Sequence, residues 1–89
     1  MTYQILLDPR AAKFLSHLNE TIRKRIKDGL TELQDSPETK GQRLAASAFW
    51  RIRIGDYRAI YEIDRNGKKV VVLYIGHRST VYDDFTRFA

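Results

Sequence analysis

Apolar and polar residues largely alternate along FWRIRIGDYRAIYEI, Phe49–Ile63, in two runs with Gly55-Asp56 between them. Two alternating runs separated by two residues with glycine first predict a tight β-hairpin. Pairing through that turn sets Arg53 opposite Arg58 and Arg51 opposite Ile60. One face then carries Arg51, Arg53 and Arg58, and the other carries Trp50, Ile52, Ile54, Tyr57, Ala59, Tyr61 and Ile63. Upstream, residues 2–7 (TYQILL) predict a short first strand. Asp8-Pro9 is a helix start, with Asp as N-cap and Pro at the first helical position. Ala11, Phe14, Leu15 and Leu18 recur at helical spacing, so helix one is expected to run to about Leu18. Asn19 caps a second helix with an apolar stripe of Ile22, Ile26, Leu30 and Leu33, ended by Ser36-Pro37. Residues 37–48 (PETKGQRLAASA) read as a loop.

Downstream of the hairpin, Asp64–Lys69 (DRNGKK) contains Asn66-Gly67, a strong turn signal. Val70–Ile75 is continuously apolar, which predicts an interior strand covered on both faces. Pairing through Asn66-Gly67 places Val70, Val72 and Tyr74 on the face of Trp50. It places Val71, Leu73 and Ile75 on the arginine face, as a strip for Val81, Tyr82, Phe85 and Phe88 to cover in part, and a partner protein to complete. The expected fold is α+β, in the order β-α-α-β-β-β, one domain over residues 1–89. An antiparallel sheet of about four strands carries a two-helix hairpin on one face and ends in a short C-terminal tail.

Composition narrows the chemistry. Eighty-nine residues, 43% of them hydrophobic, suffice for one modest core. The absence of cysteine excludes disulfides and thiolate metal sites, and two histidines without ligand spacing argue against a metal centre. No apolar run reaches membrane-spanning length and the first residues lack a signal-peptide layout, so a cytoplasmic location is expected. Sixteen Lys and Arg against eleven Asp and Glu give a net charge of +5, a field that attracts nucleic acid or an acidic protein. The basic face of helix two (Arg23, Lys24, Arg25, Lys27) reads as a solvated surface. The hairpin arginines do not, because like charges opposite each other destabilise a ladder. Their use would be to hold a polyanion.

After the last strand come Gly76-His77-Arg78-Ser79-Thr80-Val81-Tyr82. The pairing scheme brings His77, Arg78 and Tyr82 out near Arg53 and Arg58. Four arginines, a histidine and a tyrosine without an essential carboxylate suit phosphodiester chemistry on RNA. There the 2′-hydroxyl supplies the nucleophile, and guanidinium groups stabilise charge on the phosphorane. Each residue also has an ordinary role to weigh. Arg51 alone would be a solvated strand residue, Arg78 would pair with Asp83 or Asp84, and Tyr82 would pack over Val71 and Leu73. A histidine at a strand end is more often structural. Trp50, Tyr57 and Tyr61 belong to the core, and His17 has no catalytic context.

WRIRIGDYRAIYEI followed by VVLYIGHRSTVY resembles the RelE branch of the RelE/ParE toxin superfamily over nearly the whole chain. The resemblance implies a toxin of a type II toxin–antitoxin system that enters the ribosomal A site and cuts mRNA. Attack by the 2′-hydroxyl would leave a 2′,3′-cyclic phosphate and a 5′-hydroxyl, with no cofactor and no metal. It implies as partners the ribosome, mRNA and a cognate acidic, RelB-like antitoxin, in a toxin–antitoxin heterotetramer that contacts DNA only through the antitoxin. By position, Arg51 and Arg53 match two strand residues that are lysines in the family's best-described member, Arg58 the arginine after the turn, Arg78 the arginine after the last strand, and Tyr82 the tyrosine beyond it. The spacing between the last two is shorter here. Arginine does not release its proton, so Arg51 and Arg53 are expected to clamp phosphate. Proton transfer then falls to Tyr82, whose phenolate the arginines would favour, or to His77. Two other readings use the same residues: a ParE-like, non-enzymatic poison of DNA gyrase, and a basic adaptor that docks an acidic protein.

Overall fold

The computed structural model describes residues 2–45 and 47–87. Its first strand, β1 (Gln4–Leu7), leads directly into α1 (Pro9–Ser16). Asp8 caps α1 as its sequence predicts, its side chain accepting from Arg10 N at 3.0 Å. The helix tightens into a turn at its end, where Leu18 N donates to Leu15 O, and so closes two residues before Leu18. Asn19 then caps α2 (Glu20–Thr31) by accepting from Ile22 N at 2.9 Å. A 3₁₀ turn over Glu32–Gln34 extends α2.

Residues 37–48 are not simply a loop. Pro37 does not only end α2; it opens a one-turn helix, α3 (Pro37–Lys40), and β2 (Gln42–Arg43) follows. A strand of two residues has no period to display, and this one forms because Gln42 pairs with Arg51 and Arg43 with Trp50. The hairpin follows as β3 (Trp50–Ile54) and β4 (Tyr57–Asp64), then β5 (Lys69–His77) and α4 (Val81–Thr86), where a tail was expected. The class is α+β, but the sheet among the described residues has five strands in the order β1-β5-β4-β3-β2 and is mixed. β1 pairs in parallel with β5, Ile5 beside Val70 and Leu7 beside Val72. That contact gives β5 a neighbour on each side, in keeping with its continuous apolarity.

Pairing in the first hairpin is the predicted one: Arg53 faces Arg58 and Arg51 faces Ile60 across the turn. Gly55 carries it with φ of +58°, a backbone conformation that suits glycine. The β4–β5 connection is a four-residue loop rather than a two-residue Asn-Gly turn. Asp64 pairs with Lys69, Gly67 N donates to Asp64 Oδ1 at 3.0 Å, and the left-handed residue is Lys68.

The expected β4–β5 register holds up to Tyr61 opposite Val72 and then breaks. A β-bulge admits one extra residue into β5, so Ile60 faces Tyr74, Ala59 faces Ile75, Arg58 faces Gly76 and Tyr57 faces His77. Every side chain beyond the bulge therefore changes face. Ile75 joins the helix-side core of Ala11, Leu15, Ile26, Leu30, Ile52 and Tyr61, although the unbulged pairing puts it on the arginine face. Tyr74 moves the other way. Val71, opposite Glu62 and ahead of the bulge, keeps its expected place on the arginine face. Beyond it the apolar strip is Ile60, Leu73 and Tyr74, packed with Leu44 and Phe49 against Val81, Tyr82 and Phe85 of α4. Phe88, also expected there, lies outside the described residues.

Candidate active site

Because β3 and β4 turn their arginines to one face and β2 lies along their edge, the sheet carries an open cleft of about 420 Å³. It is lined by Lys40, Gly41, Gln42, Arg51, Arg53 and Arg58. Four of these six residues are cations and none is a carboxylate. Arg51 is the best-anchored of them. Its Nη1 donates to Tyr82 Oη at 2.7 Å and its Nη2 to Gln42 Oε1 at 2.5 Å, and the guanidinium lies 5.8 Å from the centre of the Tyr82 ring. Arg58 curls back to the turn, where Nη1 donates to Gly55 O at 3.0 Å and Tyr57 O at 2.8 Å. Arg53 is exposed, and no hydrogen bond or ion pair ties it to another described residue. Its donors are available to an incoming anion.

The edge of the cleft is set from below. Tyr61 is fully buried, and its hydroxyl crosses the layer to donate to Pro37 O at 2.6 Å. Burial and the nearby Glu38 carboxylate hold this phenol well above the ordinary tyrosine range, so it is a neutral donor. Gly41 passes directly over it. A Cβ there would run into Tyr61 Oη and the Arg51 carbonyl oxygen, so only glycine lets β2 come this close. Lys40 and Gln42, on either side of Gly41, are thereby fixed at the cleft.

The two remaining candidates lie elsewhere. The bulge turns His77 to the helix side, away from the arginines. There its ring meets Tyr57 edge-on at 5.8 Å and borders a crevice with Ile22, Arg25 and Ile54. Its Nδ1 accepts from Ser79 N at 3.2 Å and lies 2.8 Å from Ser79 Oγ, a local turn role. The expectation that His77 joins the arginine cluster is therefore corrected. Arg78 continues the ladder at the hairpin tip, where its N donates to Asp56 O at 2.8 Å. Its exposed side chain lies 3.9 Å from Asp56 Oδ1, in place of the expected Asp83 or Asp84. It does not line the cleft. Among the described residues no group of three or more His, Cys, Asp or Glu side chains could hold a metal ion, and no helix is long and apolar enough to cross a membrane.

The family model described as the ParE toxin of type II toxin–antitoxin systems (parDE) matches residues 5–82. The chain belongs to this toxin family, within the RelE/ParE superfamily. Curated relatives stand on the RelE side. Toxin RelE3 of Methanocaldococcus jannaschii is 32% identical over 92% of this chain and 98% of its own length. The mRNA interferase toxin RelE of Escherichia coli K12 is 29% identical over 94% of each. Among solved structures, the toxin–antitoxin complex RelBE2 of Mycobacterium tuberculosis contains a chain that superposes with a TM-score of 0.79. It is 26% identical, and the match covers 88% of this chain and all of that one.

Within this toxin fold, sequence reasoning found the arginines and missed Lys40 and Gln42. Both lie in the segment read as a loop, with no periodicity to tie them to the sheet. The one available signal was Gly41, a glycine between polar residues just before the hairpin, which marks a close backbone approach.

Proposed function

We propose that this chain is the toxin of a type II toxin–antitoxin system and an endoribonuclease that cuts mRNA in the ribosomal A site. The observation that carries the reading is a cleft lined by Lys40, Arg51, Arg53 and Arg58, free of carboxylates, with Tyr82 held against Arg51. Arg53 and Arg58 brace the scissile phosphate with charge-assisted hydrogen bonds that strengthen as charge gathers on the phosphorane. Arg51 orients Tyr82, whose phenol oxygen already accepts a proton-bearing donor and stands as the base, or orienter, for the 2′-hydroxyl. Attack of the 2′-oxygen breaks the P–O5′ bond and leaves a 2′,3′-cyclic phosphate and a 5′-hydroxyl. Guanidinium groups do the charge stabilisation that metal ions perform in other phosphoryl transfers, so the reaction is metal-independent. Arg78, at the hairpin tip, contacts the RNA strand beyond the cleft once its weak exposed pair with Asp56 opens.

A RelB-like antitoxin fits the same face. An acidic, amphipathic segment would meet the arginines with carboxylates and the strip beside them with apolar side chains. The RelBE2 complex of a chain with this fold supports that partnership. Assembly into a heterotetramer, with DNA contacted through the antitoxin, is the expected form of the inhibited state. The test is addition of the purified chain to ribosomes programmed with a defined mRNA, with mapping of new 5′ ends. Cuts at the A-site codon are expected. Intact mRNA together with trapped gyrase–DNA complexes would overturn the reading in favour of a gyrase poison.

A further inference from the structure

We infer that Lys40 is the general acid that protonates the departing 5′-oxygen. The inference rests on the cleavage reading and assigns the proton that it leaves unassigned. Cleavage requires one group to take the 2′-hydroxyl proton and another to give a proton to the leaving oxygen. Gly41 has no side chain, Gln42 does not titrate, and the guanidinium groups of Arg51, Arg53 and Arg58 do not release protons. Tyr82 Oη, held by Arg51 Nη1, is already assigned to the 2′-hydroxyl proton, and acid and base are separate groups here. His77 faces the other side of the sheet. Lys40 is what remains among the residues lining the cleft.

Its placement suits the task. Lys40 is the last residue of α3, and its N–H donates to Ser36 O at 3.0 Å. The next residue, Gly41, is pinned over the Tyr61 hydroxyl, and Gln42 pairs with Arg51 in the ladder. The backbone of Lys40 is thus held against the cleft while its side chain stays half exposed. Among the described residues its ammonium has one partner, Glu32 Oε1 at 4.0 Å, an exposed contact that competes weakly with a phosphate. A lysine ammonium carries protons that it can give, which the guanidinium groups around it do not. As the 2′-oxygen bonds to phosphorus and the P–O5′ bond breaks, the electron pair left on O5′ takes a proton from Lys40 Nζ. Tyr82 Oη takes the 2′-hydroxyl proton as its own O–H proton passes to water, and neutral Lys40 regains a proton from water.

The test compares ribosome-bound mRNA carrying a normal linkage at the A-site codon with the same mRNA carrying sulfur in place of the bridging 5′-oxygen. Sulfur departs as a thiolate without an acid. Lys40→Ala and Lys40→Arg should each slow cleavage of the normal linkage by about 10²-fold and cut the sulfur linkage within about threefold of the unaltered chain. Three outcomes would overturn the proposal: undiminished cleavage by Lys40→Ala, near-normal cleavage by Lys40→Arg, which marks a phosphate clamp, or an Ala defect that persists on sulfur. If the unaltered chain cuts neither linkage, the cleavage reading itself fails and the assignment falls with it.

Discussion

Arg53 and Arg58 face each other across the turn of a five-residue strand, and neither has a carboxylate beside it in the cleft. Such an arrangement trades stability for binding. Arg58 recovers part of the cost from the Gly55 and Tyr57 carbonyls, whereas Arg53 recovers none from a described neighbour. Arg53→Thr is therefore expected to stabilise the fold by about 0.5 kcal/mol, through relief of repulsion and a good strand former. It should lower cleavage by about 10²-fold, as expected when a charge-stabilising donor is removed. Thermal melting beside a cleavage assay checks both, and a variant that loses stability and activity together would mark Arg53 as structural. At Tyr61 the balance is reversed. Tyr61→Phe leaves the Pro37 carbonyl without its donor and is expected to cost about 1–3 kcal/mol. The native phenol's proton is held more tightly folded than unfolded, so its contribution is complete below pH 10 and shrinks as pH rises through the tyrosine range and beyond. The stability of Tyr61→Phe should accordingly fall less steeply above pH 10 than that of the unaltered chain, measured by urea unfolding across alkaline pH.

At the scale of elements, the β5 bulge and α4 decide what the arginine face looks like. The first hairpin is legible in the sequence because period-two alternation fixes which side chains share a face. The register of β5 is not, because Val70–Ile75 is apolar throughout and a shift of one residue still buries apolar side chains on both faces. The one-residue shift carries His77 out of the cluster and brings Gly76 under Val81, where a Cβ would sit 3.1 Å from a Val81 methyl. β2 was illegible for another reason. Two residues show no period, and the contacts that make them a strand come from Gly41 over Tyr61, far apart in sequence. α4 has six residues, too few to be helical alone. It is held by Val81 and Phe85 against Ile60, with the Phe85 ring 5.1 Å from that of Phe49. Phe85→Ala is expected to release α4 locally. Amide exchange at Tyr82–Phe85 should accelerate and cleavage should drop at least tenfold as Tyr82 leaves Arg51, while exchange in β4 and β5 stays slow. Global unfolding instead would show that α4 is integral to the core.

For the whole molecule, where the charge sits matters more than its total. The cations of α2 and those of the cleft belong to different surroundings. Lys24 and Arg25 are interspersed with Glu20 and Asp28 around a shallow surface depression, so the field there is locally compensated. The cleft is lined by four cations and no carboxylate, on the sheet face that β3 and β4 turn away from the helix-side core. A polyanion drawn by the net charge of +5 is held where the potential is uncompensated and donors converge. This separates two pairs of substitutions that change the net charge equally. Lys24→Gln with Lys27→Gln removes two charges from α2 and should leave cleavage on ribosomes within about threefold of the unaltered chain, a modest loss of long-range attraction. Arg53→Thr with Arg58→Gln removes two from the cleft and should abolish cleavage to below about 10⁻³ of the original rate. Rates at two salt concentrations complete the comparison. Added salt should narrow the small gap between the α2 variant and the unaltered chain and should not rescue the cleft variant. Equal losses in the two variants would mean that net charge, rather than the cleft, is what engages the RNA.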